Sequence, residues 1–173
     1  MNERSIIISL DPGTARMGVA VFNDQFELMG LDTIKALGFE SDLKREFEEA
    51  LSELIFKKYK RTVGDAIVLI ELPSPRYYGR PSISIIKLLH QIVYMVQTLS
   101  RWADGVHLID SYDWNYKDHG NKGRQYSDQE KKELFLETFP EYSRTNTDVR
   151  DAALMACWCM ENKPELFTDD YET

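Results

Sequence analysis

Several features that mark common protein classes are scarce or absent in this chain. Its 173 residues include only two cysteines. It contains no run of about 18 uncharged apolar residues, so we expect no membrane-spanning helix. The N-terminus, Met1 to Arg4, has neither a basic region before a long apolar run nor a small-residue cleavage site. We therefore expect no signal peptide.

The two cysteines, Cys157 and Cys159, flank Trp158 in a segment that is predicted to be helical. Because each residue turns a helix by about 100°, side chains two positions apart point in nearly opposite directions. We therefore expect no disulfide between the two thiols and no shared metal ion. Reduced thiols suit the cytoplasm. The short length of the chain suits a bacterium or a phage-infected host, with an organelle as the open alternative.

The chain is acidic, with 21 lysines and arginines, 29 aspartates and glutamates, and a formal net charge of −8. At first sight this charge argues against a nucleic-acid ligand. The charge is uneven, however: residues 1–72 carry −4, residues 73–150 carry +1 and residues 151–173 carry −5. A locally basic face is therefore compatible with the acidic total. The length and the 43% hydrophobic content fit one domain over 1–173, with an acidic tail from about 162 to 173.

Hydrophobic periodicity predicts five strands and four helices in the order βββαβαβαα. Three strands come first and strand–helix alternation follows, which indicates an α/β fold with a mixed five-stranded sheet flanked by helices. The polar segment 111–126 is predicted to be a mobile loop. The predicted strands are Ser5–Leu10, Met17–Phe22, Phe26–Thr33, Ala66–Ile70 and Val106–Ile109. The predicted helices are Ser41–Lys60, Ser82–Ala103, Ser127–Thr138 (opened by a capping box) and Asp148–Glu161.

Four carboxylates occupy positions where acidic side chains are costly to place. Asp11 ends the first buried strand, and Glu71 ends the fourth. Asp148 and Asp151 lie three residues apart at the start of the last helix, so they share one face. Strand ends and helix N-termini are where α/β folds collect their ligands, and a buried carboxylate cluster repels itself unless it binds a cation. Hard oxygen ligands suit Mg²⁺ or Mn²⁺, so the sequence predicts a divalent-metal site.

Each of these carboxylates also has an ordinary structural explanation. Asp11 is followed by a Pro-Gly pair and fits a strand-ending turn. Glu71 fits a surface acid at a strand edge. Asp148 and Asp151 fit the preference of acidic side chains for a helix N-terminus. The four positions taken together are harder to explain in this way, which favours the metal site.

Three segments together resemble the RuvC family of Holliday-junction resolvases, within the RNase H-like nuclease superfamily. The segment from Ile8 to Val21, ISLDPGTARMGVAV, is similar to the family's opening strand–turn–strand, and AIVLIE, which ends at Glu71, is similar to its second catalytic strand. DVRDAAL, which begins at Asp148, is similar to the closing helix with its Asp-x-x-Asp pair. The resemblance covers almost the whole chain in order and implies an RNase H-like fold.

The resemblance implies a metal-dependent endonuclease that resolves four-way DNA junctions by symmetric nicking. In this interpretation two Mg²⁺ ions, for which Mn²⁺ would substitute, act on the scissile phosphate in each active site. The implied catalytic and metal-binding carboxylates are Asp11, Glu71, Asp148 and Asp151.

Symmetric nicking needs two active sites, which a two-fold homodimer supplies. The long predicted helix Ser82–Ala103 is the expected dimer interface, because its apolar side includes Ile86, Leu89 and Val93. Packing of this side against the helix's own sheet is the alternative.

Basic and aromatic side chains are the expected DNA contacts. Arginine and lysine would bind phosphates, and tyrosine rings would stack on unpaired bases at the crossover. Lys117 and Lys131 fall near positions where the resembled family places basic residues against the scissile DNA. The full expected set is Arg76, Tyr77, Tyr78, Arg80, Lys117, Lys122, Arg124 and Lys131.

Other interpretations stay open. A nuclease of the same fold would act on forks, flaps or abasic DNA, or on ribosomal RNA precursors. A non-catalytic member would serve as a scaffold, which the complete carboxylate set argues against. A nucleotide-binding ATPase of the actin, sugar-kinase and chaperone type shares the opening strand and Asp-x-Gly-Thr pattern, but it needs a second such loop, an adenosine motif and two lobes, and none is present.

Overall fold

A computed structural model describes residues 6–13, 15–35, 43–73, 82–117 and 124–168. Its strands are β1 (Ile6–Pro12), β2 (Arg16–Phe22), β3 (Leu28–Lys35), β4 (Ala66–Leu72) and β5 (Gly105–Asp110). They form one sheet in the order β3-β2-β1-β4-β5. β1 and β3 are antiparallel to β2, whereas β4 is parallel to both β1 and β5. The predicted mixed five-stranded sheet is therefore confirmed.

In the described part of the chain, five α-helices pack around this sheet, and serine caps define where two of them begin. The Ser82 Oγ accepts a hydrogen bond from the Ile85 N–H at 3.3 Å, and Ser127 forms the predicted capping box with Glu130. The helices are α1 (Leu43–Leu54, continued by a π-helical turn at Ile55–Tyr59), α2 (Ile83–Leu99), α3 (Ser111–Trp114), α4 (Asp128–Thr138) and α5 (Thr147–Asn162).

Side chains alternate along β1 between two hydrophobic layers. Ile8 and Leu10 pack with residues of α1 and α2 on one face of the sheet. Ile7 packs with residues of α3, α4 and α5 on the other face, where Ser9 also bonds to a backbone carbonyl of α5. Because the side chains of a strand alternate with a period of two, Asp11 continues the second series and faces the α5 side.

The described ends of the segment 111–126, residues 111–117 and 124–126, differ from the predicted mobile loop, and the middle of that prediction, 118–123, lies outside the described residues. The first four residues of the segment form α3, and the Asp110 Oδ1 caps this helix by accepting a backbone N–H at 2.8 Å. Trp114 and Tyr116 are buried, and Tyr116 pairs with Gln125 in an antiparallel bridge. The polar composition suggested mobility, but buried aromatic side chains anchor residues 111–117 to the core.

Helix α2 carries apolar side chains on more than one side. Ile92, Met95 and Leu99 pack against the sheet. Ile86 and Val93 are 49% and 57% exposed, so for these two residues packing against the helix's own sheet is wrong. One sheet face can bury only one stripe of a helix, and the second stripe of α2 remains in solvent.

Both cysteines are free, with Cys159 buried and Cys157 half-buried in α5. Within the described ranges, none of the helices combines the length and the apolar character that a bilayer crossing requires.

Candidate active site

Asp11 and Glu71 lie next to each other at one end of the sheet. Their strands are parallel neighbours whose register pairs Leu10 with Ile70, so the next residue of each strand reaches the same level. The two carboxyl groups are hydrogen-bonded to each other. The strand ends that stand out in the sequence therefore place two acids in direct contact.

Helix α5 carries Asp148 and Asp151 to the same end of the sheet. The Asn146 Oδ1 caps the helix by accepting a hydrogen bond from the backbone N–H three residues on, at 3.0 Å. The Ser9 hydroxyl of β1 donates a hydrogen bond to the Ala152 carbonyl at 2.6 Å, which ties the second turn of α5 to the central strand. Asp151 is buried and Asp148 is partly exposed. We call these two residues, with Asp11 and Glu71, the carboxylate edge.

Gly18 of β2 makes this approach of α5 sterically feasible. It pairs with Asp11 across β1 and β2, and a Cβ atom at this position would lie 2.2 Å from the Asp148 carbonyl oxygen. Any side chain would therefore push the start of α5 away from the carboxylate edge. The sequence analysis did not single out this residue, although a glycine inside an apolar strand is typical of close backbone approach.

Burial raises the pKa values of the two strand-end acids. Loss of hydration raises the pKa of Asp11 to about 6, a hydrogen bond from Glu71 partly offsets the rise, and the charges of Asp151 and Asp148 add to it. The pKa of Glu71 lies well above its usual value, mainly because of burial and then because of the charge of Asp11. The pair therefore holds a proton that an isolated carboxylate would release well below neutral pH.

The two α5 carboxylates are paired with cationic side chains instead. Lys131 of α4 is buried, donates a hydrogen bond to Asp151 Oδ2 and lies 5.6 Å from the centre of the Trp114 ring. The Arg150 Nε lies 3.3 Å from Asp151 Oδ1. The Arg16 Nε lies 3.4 Å from Asp148 Oδ2, and this pair is more exposed.

These ion pairs determine whether the carboxylates can bind a metal ion in the present conformation. Among the residues that the structure describes, no three histidine, cysteine, aspartate or glutamate side chains are arranged to hold a metal ion. The donor chemistry nevertheless fits a hard divalent cation, because the carboxylate edge supplies only oxygen ligands. Two of these acids are kept partly protonated by burial and mutual repulsion, and a bound cation would relieve both effects.

Lys117 and Arg124, two of the expected DNA contacts, are engaged within the protein. Lys117 and Arg124 both bind the Glu130 carboxylate, Arg124 through two hydrogen bonds of 2.7 Å. Glu130 also accepts a 3.0 Å bond from the Ser127 N–H as part of the capping box. We call this group the Glu130 clasp. The remaining expected contacts lie outside the described residues, apart from Lys131: Arg76, Tyr77, Tyr78, Arg80 and Lys122.

A cavity of about 290 Å³ adjoins Asp11 and Glu71. Its other walls include Ser111, Asn115 and Gln125, which belong to the segment that was predicted to be a mobile loop. The sequence analysis missed these polar residues because the fold that brings them to the cavity depends on buried aromatic neighbours.

The sheet order, its mixed strand directions and the helices on both faces define an RNase H-like α/β fold. Among solved structures, RuvC of Thermus thermophilus in complex with a Holliday-junction substrate has a TM-score of 0.64 and 12% identity, over 90% of this chain and 93% of that chain. A second structure of Thermus thermophilus RuvC has a TM-score of 0.57 and 12% identity, over 90% and 95% of the two chains.

A viral protein shares this architecture. The Fowlpox virus resolvase, solved with its substrate Holliday-junction DNA, has a TM-score of 0.56 and 13% identity, over 94% of this chain and 99% of that chain. No protein-family model matches the sequence, and no curated protein does. At these identities the likeness establishes the fold, which is RuvC-like, and the activity must be argued from the site.

Proposed function

We propose that this protein is a metal-dependent endonuclease that resolves four-way DNA junctions by symmetric nicking. The observation that carries the proposal is the carboxylate edge, where Asp11 and Glu71 are in contact, the two α5 acids lie close enough for their charges to act on this pair, and both strand-end acids have raised pKa values. Perturbed carboxylates in a cleft are typical of active sites. The shared fold supports the choice of substrate, since two of the similar structures contain Holliday-junction DNA.

The carboxylate edge would hold two Mg²⁺ ions, or Mn²⁺ as a substitute. Such ions, when bound, supply a hydroxide near neutral pH and stabilise the leaving oxygen. To receive them, Asp11 and Glu71 give up their shared proton and Asp151 separates from Lys131. The Lys131 ammonium group then becomes available to neutralise a phosphate oxygen of the DNA.

We propose that the basic side chains around the carboxylate edge bind DNA, although the net charge of the protein is negative. Lys131 reaches the carboxylates from α4, and Arg16 stands beside Asp148 with 61% of its side chain exposed. Lys117 and Arg124 would also attract DNA phosphates, because together they carry more positive charge than Glu130 neutralises. Contacts to phosphates supply most of the affinity of such complexes and weaken with salt.

A two-fold dimer would supply the two active sites that symmetric nicking requires. The exposed stripe of α2 supports this proposal, because Ile83, Ile86 and Val93 are 73%, 49% and 57% exposed. An apolar stripe of this kind on a helix is stabilised by contact with an identical stripe of a second copy. Sedimentation should show a dimer at micromolar concentration, and Val93→Glu should shift it to a 20.2 kDa monomer; a wild-type monomer would contradict this part of the proposal.

The decisive experiment compares a synthetic immobile four-way junction with linear duplex and a three-way fork, in Mg²⁺ and in EDTA. We expect paired nicks in opposed strands of the junction, only with Mg²⁺, and little cleavage of duplex. Equal cleavage of the fork would favour a nuclease for other branched DNA. Failure to cut any of these substrates in Mg²⁺ or Mn²⁺ would refute the proposal.

A further inference from the structure

Asp151 has a cationic partner on each of its two carboxylate oxygens. Lys131 of α4 donates a hydrogen bond to Oδ2, and the Nε of Arg150, the neighbour of Asp151 in α5, lies 3.3 Å from Oδ1. All three side chains are only 8–10% exposed, and long cationic side chains are seldom buried to this extent. Because one carboxylate neutralises one cation, Asp151 has one more buried cation beside it than its own charge requires.

The two cations lie in different directions from Asp151. The charge of Lys131 opposes the rise in the pKa values of the two strand-end acids, so Lys131 lies on the side of Asp151 that faces them. Arg150 extends toward the first turn of α4, where its Nη2 lies 4.0 Å from Oδ1 of Asp128, an acid whose side chain is 84% exposed. Lys131 therefore connects Asp151 to the rest of the carboxylate edge, and Arg150 connects it to the protein surface.

This arrangement gives the two oxygens of Asp151 different availability to a metal ion. A divalent cation at the carboxylate edge would compete with Lys131 for Oδ2, because both cations would occupy the same side of the carboxylate. Oδ1 lies on the Arg150 side and would keep its partner. A carboxylate that keeps one partner stays in a single orientation, and partners that orient a metal ligand in this way typically strengthen metal binding by about 10–100-fold.

We propose that Arg150 is a positioning residue for metal binding, which holds Asp151 through Oδ1 while Lys131 gives up Oδ2 to a divalent cation. The inference rests on the metal site of the proposed function and assigns opposite effects to two buried cations. Lys131 competes with the metal ion, whereas Arg150 orients the ligand that binds it. Repulsion between like charges alone predicts the reverse for Arg150, since loss of a nearby positive charge would then strengthen metal binding.

The experiment is titration of Mn²⁺ into the full-length protein at pH 8, followed by isothermal calorimetry. Arg150→Met removes the charge and keeps an unbranched side chain, and it should weaken the binding of at least one ion by about 10–100-fold. Arg150→Lys keeps the charge and should recover part of this loss, while still binding less tightly than wild type. Lys131→Met should bind Mn²⁺ at least as tightly as wild type, because the competing cation is absent.

Two control variants and a folding check complete the design. Arg144→Met removes one positive charge at an exposed position before α5 and should leave Mn²⁺ affinity unchanged. Asp128→Asn should change the affinity by less than about twofold, because ion pairs with exposed acids contribute little. Thermal melting identifies any variant that fails to fold, and Arg150→Lys tests the proposal if Arg150→Met is lost.

The outcomes separate this inference from the proposed function. If the wild-type protein does not bind Mn²⁺, the metal site fails and this inference fails with it. If the wild-type protein binds Mn²⁺ and nicks no junction, the proposed substrate fails and the role of Arg150 is still decided by the titration. If folded Arg150→Met or Arg150→Lys binds Mn²⁺ as tightly as wild type or more tightly, or if folded Lys131→Met loses affinity as Arg150→Met does, only the positioning role is overturned.

Discussion

The carboxylate edge and the Glu130 clasp use the same acidic chemistry with opposite electrostatic results. At the clasp, Arg124, Lys117 and the Ser127 N–H surround one carboxylate and hold the pKa of Glu130 well below its usual range. At the carboxylate edge, burial and neighbouring acids raise the pKa values of Asp11 and Glu71.

The comparison distinguishes an acid that stabilises the local structure from acids that do not. Glu130 satisfies a helix N-terminus and two nearby cations, and so it completes a local capping arrangement. Asp11 and Glu71 both lose hydration, and ionisation is opposed at Asp11 by the charges of the α5 acids and at Glu71 by the charge of Asp11. Side chains that lower the stability of the fold, without local hydrogen bonds or ion pairs that compensate, are characteristic of a functional site. The predictions below test this contrast.

The largest expected effect is on cleavage. Asp11→Asn preserves the shape of the side chain and removes its charge, so it should reduce junction cleavage in Mg²⁺ by roughly 10²–10³-fold or more. Junction binding should change little, since phosphate contacts supply most of the affinity. Single-turnover rates and a gel-shift titration measure the two effects. Near wild-type cleavage by Asp11→Asn would remove this residue from the catalytic set.

Lys131→Met should destabilise the fold at neutral pH by about 3 kcal/mol, because it leaves the buried Asp151 carboxylate with Arg150 as its remaining cation. Urea unfolding measures the change in the free energy of unfolding. Lys132→Met, at an exposed neighbouring position, is the matched control. If the two variants are equally stable, Lys131 is not the counter-ion of Asp151.

Gly18→Ala tests the close approach between β2 and α5. The added Cβ would overlap the Asp148 carbonyl, and relief of this overlap should cost about 1–3 kcal/mol of stability and displace the α5 acids, with loss of cleavage. Gly64→Ala is the control, because the nearest atom to its added Cβ lies 3.3 Å away. Wild-type stability and activity of Gly18→Ala would show that this contact does not position the carboxylate edge.

The raised pKa values predict how stability depends on pH. Because the folded protein holds a proton on the Asp11–Glu71 pair that the unfolded chain releases at lower pH, stability without metal should fall as pH rises from about 5 to 8. Mg²⁺ should restore stability at pH 8 and have little effect at pH 5, where the ligands are protonated.

Melting temperatures measured with Mg²⁺ and with EDTA test this dependence. Asp11→Asn should flatten the metal-free pH profile and weaken the response to Mg²⁺. A wild-type profile that rises over this range, or one that Asp11→Asn leaves unchanged, would contradict the assignment of the raised pKa values to this pair.

The smallest effect is expected at the clasp. Glu130→Gln should keep cleavage within about twofold of wild type, because exposed ion pairs contribute little to stability. Any loss should be largest at low salt, where screening is weakest. A loss as large as that of Asp11→Asn would mean that the clasp and the carboxylate edge are functionally equivalent.

The sequence was sufficient to predict the mixed sheet and the positions of the four acids. Both follow from local patterns: apolar strands that end in Asp11 and Glu71, and an Asp-x-x-Asp spacing at a helix start. The sheet then makes strand ends meet, because parallel strands β1 and β4 are neighbours. These features could be predicted because each depends on only a few consecutive residues.

The partners of these acids could not be predicted from the same patterns. The burial of Lys131 depends on how α4 packs against α5, and a lysine in a charged helix is normally exposed. Asn115 and the steric role of Gly18 likewise depend on long-range contacts. Each reflects a contact between segments that are distant in the sequence, which periodicity does not encode.

The central claim is that the carboxylate edge binds divalent cations, and direct titration of Mn²⁺ at pH 8 tests it without reference to DNA. Isothermal calorimetry should show saturable binding of two ions to the wild-type protein, with Asp11→Asn losing at least one of them and Glu130→Gln keeping both. Absence of saturable binding by the wild-type protein, or identical binding by wild type and Asp11→Asn, would contradict the account.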